Sequence, residues 1–175
     1  MLSRTSLRAS AVVLAGVTVA GLALAQATAR PGIAISYAQI GGGGAAGGLD
    51  GRAHLPTTPS WVTVDAGPAS CAQGRKITVS ARARTGHVRQ VDVTVNANGP
   101  GEIPLGGTGC PSAHIEATLE DGEVLQSDDG TVTVRSLTPD APNVLDATFS
   151  WTPRLHGHPL LMRGIVVAPA PAAAH

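Results

Sequence analysis

Histidines provide the residues best suited to metal binding in this chain. His156 and His158 flank a single glycine, and His87 and His114 lie on or next to predicted strands. Imidazole nitrogens bind zinc or copper when several ligands converge. No H-E-x-x-H motif or Cys-His cluster accompanies them, and His156 to Pro159 fits an exposed turn. The sequence therefore favours a turn and predicts no cofactor, with a metal site at His156 and His158 as the alternative.

Carboxylates and hydroxyls form no pattern typical of an active site. Asp128-Asp129-Gly130 lacks the alternating acids of a calcium loop and fits a hairpin turn. Glu116 and Glu120 have the residue type used in glycoside hydrolysis, yet they fit solvated strand positions better. No G-x-S-x-G motif surrounds a serine. The sequence predicts a protein that is not an enzyme, with a secreted hydrolase as a further alternative. The serines considered are Ser70, Ser80, Ser112, Ser127, Ser136 and Ser150.

The N-terminal residues resemble a signal for export. Arg4 and Arg8 precede a run without charge, which ends in small residues at Ala23, Ala25, Ala27 and Ala29. This pattern predicts a cleaved signal peptide over residues 1–29, with cleavage after residue 25 or after residue 29. An uncleaved membrane anchor is the alternative. We expect a protein secreted to the extracellular space or the periplasm, with no membrane span after cleavage.

Composition changes along the rest of the chain. Ile33 to Ile40 fits a short strand, and the glycine-rich residues 41–48 follow it. Glycine runs behave as flexible linkers, and Leu55 to Pro59 has the composition of a linker as well. The sequence therefore predicts a flexible N-terminal segment over residues 30–57, a folded domain over 58–168, and an Ala/Pro tail over 169–175.

Charge and aromatic content exclude some partners. The chain has 12 basic and 12 acidic residues, and removing Arg4 and Arg8 leaves 10 basic residues. A nucleic-acid-binding protein would need a basic excess and, for single strands, aromatic stacking platforms. The only aromatic residues are Tyr37, Trp61, Phe149 and Trp151. The sequence predicts no binding of nucleic acid. Basic residues gather between 75 and 89 and acidic ones between 116 and 129, which we interpret as solvated strand faces.

Hydrophobic residues from Trp61 onward alternate with a period of two. One run is Ile77 to Arg84, and a second is Gln90 to Val95, after the turn residues Thr85 and Gly86. Such a pair predicts a hairpin with one buried face. Similar short runs recur up to Trp151, and no run has the helical period. The sequence predicts an all-β domain, either a sandwich or a small barrel.

Two segments resemble bacterial immunoglobulin-like domains of secreted and surface proteins. One runs from Lys76 to Ala83, through Thr85-Gly86-His87-Val88, to Val91-Asp92-Val93-Thr94-Val95. The other is Phe149-Ser150-Trp151-Thr152-Pro153 with Gly157 and Ile165-Val166-Val167. The resemblance covers about residues 58–168 and implies an immunoglobulin-like β-sandwich.

The two cysteines point to a disulfide. In an exported chain, Cys71 and Cys110 are expected to pair. Cys71 precedes the Lys76 strand and Cys110 follows Gly109, so neither lies in the middle of a strand as in antibody domains. We therefore expect a bridge at the edge of the domain. Together these features predict a secreted binding or cell-envelope structural protein, whose partner is an unknown protein or envelope component.

Overall fold

Strands make up most of the regular structure. The computed structural model describes residues 30–40, 49–67, 71, 74–126, 128–138 and 142–171. Within them lie twelve strands, one short 3-10 helix and no α-helix, which confirms the all-β prediction. The elements are β1 (Gly32–Gln39), β2 (Asp50–Pro56), η1 (Pro59–Trp61), β3 (Val62–Ala66), β4 (Arg75–Arg82), β5 (Val88–Ala97), β6 (Gly101–Pro104), β7 (Ser112–Leu119), β8 (Val124–Gln126), β9 (Gly130–Leu137), β10 (Asn143–Trp151), β11 (Arg154–Leu155) and β12 (His158–Pro169).

The strands form two antiparallel sheets. The larger sheet has the order β2-β1-β12-β10-β9-β6, and β11 pairs with β12 beside it. The smaller sheet has the order β3-β4-β5-β7-β8. Two sheets of this kind bury one face each against the other, as in a β-sandwich. The chain changes sheet between β5 and β6 and returns between β6 and β7.

Alternating residues of both sheets supply the core. Ile77, Val79 and Ala81 of β4 are completely buried, which confirms the alternation predicted for this strand. Phe149 and Trp151 of β10 are both buried. They share one face of the strand because residues two apart point the same way. Trp61, by contrast, is only partly buried. Of the two tryptophans, Trp151 alone belongs to the core.

The structure corrects the sequence interpretation of residues 30–57 as a flexible segment ahead of the domain. Strand β1 lies between β2 and β12, and all eight of its residues pair with β12. Ile33 is fully buried, as is Leu55 of β2, in the stretch interpreted as a linker. The period of two over Ile33, Ile35 and Tyr37 therefore outweighs the flanking glycines and prolines. The glycine run itself, residues 41–48, lies outside the described residues.

A second correction concerns Asp129-Gly130, which was predicted to be a hairpin turn. Strand β8 belongs to the smaller sheet and β9 to the larger one, so this segment connects two sheets. Gly130 pairs with Trp151, and a Cβ atom on Gly130 would lie 2.3 Å from the Ser150 carbonyl oxygen. Close approach of two backbones requires glycine here. Asp121-Gly122, by contrast, forms the predicted turn between β7 and β8.

Cys71 and Cys110 form a disulfide in the structure. Their Cα atoms are 5.0 Å apart, within the usual range for such bonds. Cys71 lies between β3 and β4, and Cys110 lies just before β7. The bridge therefore joins two connections at the boundary of the smaller sheet rather than the centres of two strands.

Two sequence predictions lie wholly or partly outside the described residues. The signal peptide over residues 1–29 is outside them, and so are residues 172–175 of the predicted tail. Strand β12 continues to Pro169, so the first residue of that tail is part of the sheet. In the part of the chain that the structure describes, no helix has the length and hydrophobicity to cross a membrane.

Candidate functional site

The histidines named as metal ligands lie in and beside a tight turn. His156 and Gly157 connect β11 with β12 and have positive φ angles of 50° and 84°. The Nε2 atom of His156 is 3.1 Å from the Glu123 Oε2 atom, and His158 is exposed at the start of β12. The described residues contain no group of three or more His, Cys, Asp or Glu side chains arranged to hold a metal ion. The turn interpretation fits this geometry best.

The other histidines also lie at the surface. His114 is exposed on β7 opposite Thr94. The Nδ1 atom of His87 is 3.9 Å from the Glu120 Oε2 atom, and Arg89 donates a hydrogen bond of 2.5 Å to the other oxygen of Glu120. His87 and His156 both line a small pocket of about 320 Å³.

The carboxylates and serines considered for catalysis have structural partners. Glu116 accepts a hydrogen bond of 2.5 Å from Gln126, and Glu120 pairs with Arg89. Ser80 donates to Asp92, and Ser112 donates to the Gly109 carbonyl over 2.7 Å. Across the described ranges, no hydrogen bond joins a serine hydroxyl to a histidine. Ser70 and Ser127 lie outside those ranges.

A larger cleft opens where the edge of the larger sheet meets the end of β4. Its volume is about 930 Å³, which is within the usual size range of ligand sites. We call it the arginine cleft. We define it by the side chains of Tyr37, Arg52, His54, Trp61, Arg82 and Arg84, and His87 also lines it.

The connection between β2 and β3 places Trp61 in the arginine cleft. The hydroxyl of Thr57, a buried residue, donates a hydrogen bond of 2.5 Å to the Ser80 carbonyl on β4. Pro59 then begins the 3-10 helix, a position where its fixed φ is compatible with helical geometry. The amide of Trp61 bonds to the Thr58 carbonyl over 2.9 Å. The helix therefore ends with the indole next to the end of β4.

Arg82 stacks on the indole of Trp61. Its guanidinium carbon lies 5.2 Å from the ring centroid, within the range of a cation–π interaction. Arg82 is exposed because Ala81 and Ala83 point towards the core side of β4. A stacked guanidinium has a fixed plane, and its N–H groups remain available at the edges. The pair therefore presents oriented hydrogen-bond donors to a ligand.

The charged residues that line the arginine cleft are all basic, and one carboxylate, that of Asp50, lies near its Tyr37. Among its described lining residues there are three arginines, two histidines and no carboxylate. Arg52, Arg82 and Arg84 form no salt bridge within the described part of the chain, whereas Arg89 and Arg135 each pair with a carboxylate. Unpaired arginines in a concave site attract anions and orient carboxylate or phosphate oxygens.

Tyr37 forms the floor of the same cleft. It is buried, and its ring covers Gly51 on the neighbouring strand. Burial raises the pKa of Tyr37 above its ordinary value, and the nearby charge of Asp50 raises it further. The phenol is therefore neutral at physiological pH.

The sequence did not predict this cleft. Arg82 and Arg84 fit solvated strand positions, and Arg52 falls in the segment predicted to be flexible. The four aromatic residues were too few to predict a stacking platform for nucleic acid, and two of them, Tyr37 and Trp61, line one site. No signal in the sequence brings Trp61 together with Arg82 and Arg84, because their proximity depends on the tertiary fold.

Comparisons with known proteins do not indicate a function. The sequence matches no protein-family model, and neither the curated proteins nor the solved structures gave a significant match. Function must therefore be argued from the site itself, since a sandwich architecture alone supports many activities.

Proposed function

We propose that this protein is an exported binding protein without enzymatic activity, and that its ligand is an anion held in the arginine cleft. The observation that carries the proposal is the set of three unpaired arginines in a cleft lined by no carboxylate among the described residues. Keeping like charges together costs electrostatic free energy. An anionic ligand removes this repulsion and gains charge-assisted hydrogen bonds, each contributing about 1.5–3 kcal/mol.

Two features support export, the pattern of the N-terminal residues and the disulfide. The pattern of Arg4, Arg8 and the A-x-A sites favours a signal peptide, and a disulfide is typical of oxidising compartments. Both proposed cleavage sites precede Gly32, where β1 begins, so processing would leave the sheet complete. Mass spectrometry of the secreted protein should find Gln26 or Arg30 at the N-terminus. Full-length protein that stays in the membrane with residue 1 or 2 intact would contradict export.

The immunoglobulin-like type of the sandwich stays part of the proposal. The β4–β5 hairpin and the two antiparallel sheets support it. The described strands are more numerous than the roughly seven to nine of immunoglobulin domains. A role in the cell envelope is compatible with a binding cleft, because a binding protein can attach to an anionic envelope component.

Titration calorimetry with anionic polymers tests the proposed site. We expect binding to polyglutamate, polyphosphate or polygalacturonate that weakens steeply as salt concentration rises. Arg82→Ala should weaken binding by at least about tenfold, the equivalent of one lost charged hydrogen bond. Arg135→Ala is the matched control, because Arg135 lies on β9 and pairs with Asp146 outside the cleft. Absence of binding to all three polymers, or equal effects of both substitutions, would overturn the proposal.

A further inference from the structure

Among the described strands, β2 is an edge of the larger sheet, and the arginine cleft lies next to it. It pairs with β1 on one side only. At one end of the pair, the Gln39 amide bonds to the Leu49 carbonyl over 3.0 Å, and at the other end the Thr57 amide bonds to the Pro31 carbonyl over 3.5 Å. In an antiparallel pair, residues alternate between bonding to the neighbour and pointing away from it.

This alternation identifies which backbone groups of β2 are free. Gly51, Ala53 and Leu55 share the phase of Leu49 and Thr57, so they bond to β1. Arg52 and His54 have the opposite phase, and their N–H and C=O groups point out of the sheet. No turn or loop bond within the described residues satisfies these groups. Two residues with outward N–H and C=O groups can pair with one extended chain.

The charge of the edge selects what can pair with it. Charged side chains on an edge strand normally oppose association with another strand. Arg52 and His54 are exposed on β2, and Arg82 and Arg84 are exposed nearby in the same cleft. An antiparallel second copy centred on Arg52 would place the two Arg52 side chains opposite each other, which is unfavourable. Asp50, at the start of β2, contributes a single carboxylate with the same outward phase. A strand rich in carboxylates would instead form opposite-charge pairs.

We infer that the arginine cleft takes an extended acidic peptide segment, which adds to β2 as a further strand. Backbone bonds to Arg52 and His54 would hold the segment, and its carboxylates would pair with Arg52, Arg82 and Arg84. Strand addition of this kind obtains affinity from the main chain and specificity from alternating side chains. The inference rests on the proposed function and narrows its anionic ligand to a peptide.

A backbone modification of the peptide separates strand addition from simple anion binding. The probe is the peptide Glu-Thr-Glu-Thr-Glu-Thr, compared with the same peptide carrying N-methyl groups on its threonine residues, and with one methylated on its glutamates. Both modified peptides keep every charge, and each loses one set of amide donors. We expect one of them to bind at least about tenfold more weakly than the parent, because only one set faces β2. Binding is measured by calorimetry on the mature, oxidised protein.

Substitution of the edge itself gives the second measurement. His54→Pro removes the outward amide of residue 54 and leaves the bonds of Ala53 and Leu55 to β1, and proline is tolerated on edge strands. His54→Ala is the matched control, because it removes the same imidazole and keeps the amide. We expect the proline variant to lose at least about tenfold more affinity for the peptide than the alanine variant. Amide hydrogen exchange should show protection of residues 52 and 54 when the parent peptide binds.

The outcomes distinguish this inference from the proposed function. Equal binding of the parent and both methylated peptides would overturn strand addition and leave anion binding in place. Binding of polyphosphate or polygalacturonate without binding of the peptide would do the same. A thermal melt shows whether the His54→Pro variant folds. If it does not fold, amide protection at residue 54 of the unaltered protein and the methylated peptides test strand addition instead. A dimer formed through β2 without peptide would also overturn the inference.

Discussion

At the scale of single residues, Tyr37 links the fold to the cleft. It is the only tyrosine in the chain, and it lies on β1 at a position that is buried between β2 and β12. Its hydroxyl lies 2.8 Å from the position that a Cβ atom on Gly51 would occupy. An aromatic residue opposite an edge glycine covers backbone that would otherwise be exposed.

The raised pKa of Tyr37 predicts a loss of stability at high pH. In the unfolded chain the phenol ionises at a pKa of about 10, and in the folded chain burial and the Asp50 carboxylate raise that pKa. The stabilisation that comes from burying the neutral phenol is fully present below pH ~10, and it is lost as the pH rises through the pKa of Tyr37 in the folded protein. Because the chain has one tyrosine, phenolate absorbance reports this group alone. We expect its midpoint to lie above that of free tyrosine.

Two variants check the cause of this shift. Tyr37→Phe should remove the part of the alkaline loss of stability that belongs to the phenol. Asp50→Asn should lower the pKa of Tyr37 but leave it raised, because burial is the larger cause. A phenolate midpoint at the ordinary tyrosine value in the unaltered protein would contradict the burial of Tyr37 in the structure.

Residues of the core were predictable from the sequence, and residues of the cleft were not. Phe149 and Trp151 are two apart in one strand, so their shared burial follows from local geometry. Trp61, Arg52 and Arg82 come from three separate segments, and only the pairing of strands and the Thr57 hydrogen bond bring them together. Such tertiary proximity leaves no periodic signal in a single sequence.

At the scale of elements, the centre of the larger sheet depends on a close approach around β12. Gly164 of β12 pairs with Ile35 on one side and Phe149 on the other. A Cβ atom on Gly164 would lie 2.5 Å from the ring of Phe149 and 2.6 Å from the Ala34 carbonyl oxygen. The benzyl side chain of Phe149 therefore occupies the space that any larger residue at position 164 would need.

We predict that Gly164→Ala destabilises the protein by about 1–3 kcal/mol, the usual cost of overpacking a core. Gly99→Ala is the matched control, because no atom lies within 4 Å of its added Cβ and its backbone is not among the positive-φ glycines. It should change stability by less than about 0.5 kcal/mol. Denaturant unfolding of both variants measures the difference. Equal effects would show that β12 does not approach Phe149 and Ala34 in this way.

The larger sheet also shows why composition gave a wrong prediction for residues 30–57. Glycine and proline lower strand propensity on average, yet Gly32 and Pro56 end two strands that carry the buried residues Ile33 and Leu55. Pro56 is tolerated because β2 is an edge and Pro56 has the outward phase, where no amide is needed for β1. Burial of alternate residues decides strand formation here, and propensity sets only where the strands end.

At the scale of the whole molecule, the first and the last of the described strands pair within one sheet. Strand β1 near the N-terminus pairs with β12 near the C-terminus along its full length. The larger sheet is therefore complete only when both ends of the domain are present. Truncation of residues up to Gln39 would expose the edge of β12 and remove Tyr37 from the arginine cleft, so the proposed ligand site and the sheet depend on the same strand.

The disulfide is expected to stabilise the smaller sheet, because it joins two connections at the boundary of that sheet. The bridge joins residues 39 positions apart, and closing a loop of this length in the unfolded chain is worth about 3–4 kcal/mol in the chain-entropy account. We predict that reduction lowers the melting temperature by roughly 10 °C, given the usual slope of a few degrees per kcal/mol for a domain of this size. Neither cysteine lines the arginine cleft, so affinity for the proposed anionic ligand should survive reduction at low temperature.

Thiol labelling and the double variant Cys71→Ser, Cys110→Ser test this stabilisation. The native protein should not react with a thiol reagent until a reductant is added, because the chain has only these two cysteines. The double variant should melt near the reduced protein and should not respond to reductant. Labelling of both thiols in the native secreted protein would contradict the bridge. An unchanged melting temperature after complete reduction would instead mean that packing around Cys71, which is buried, holds the β3–β4 connection in place without the covalent bond.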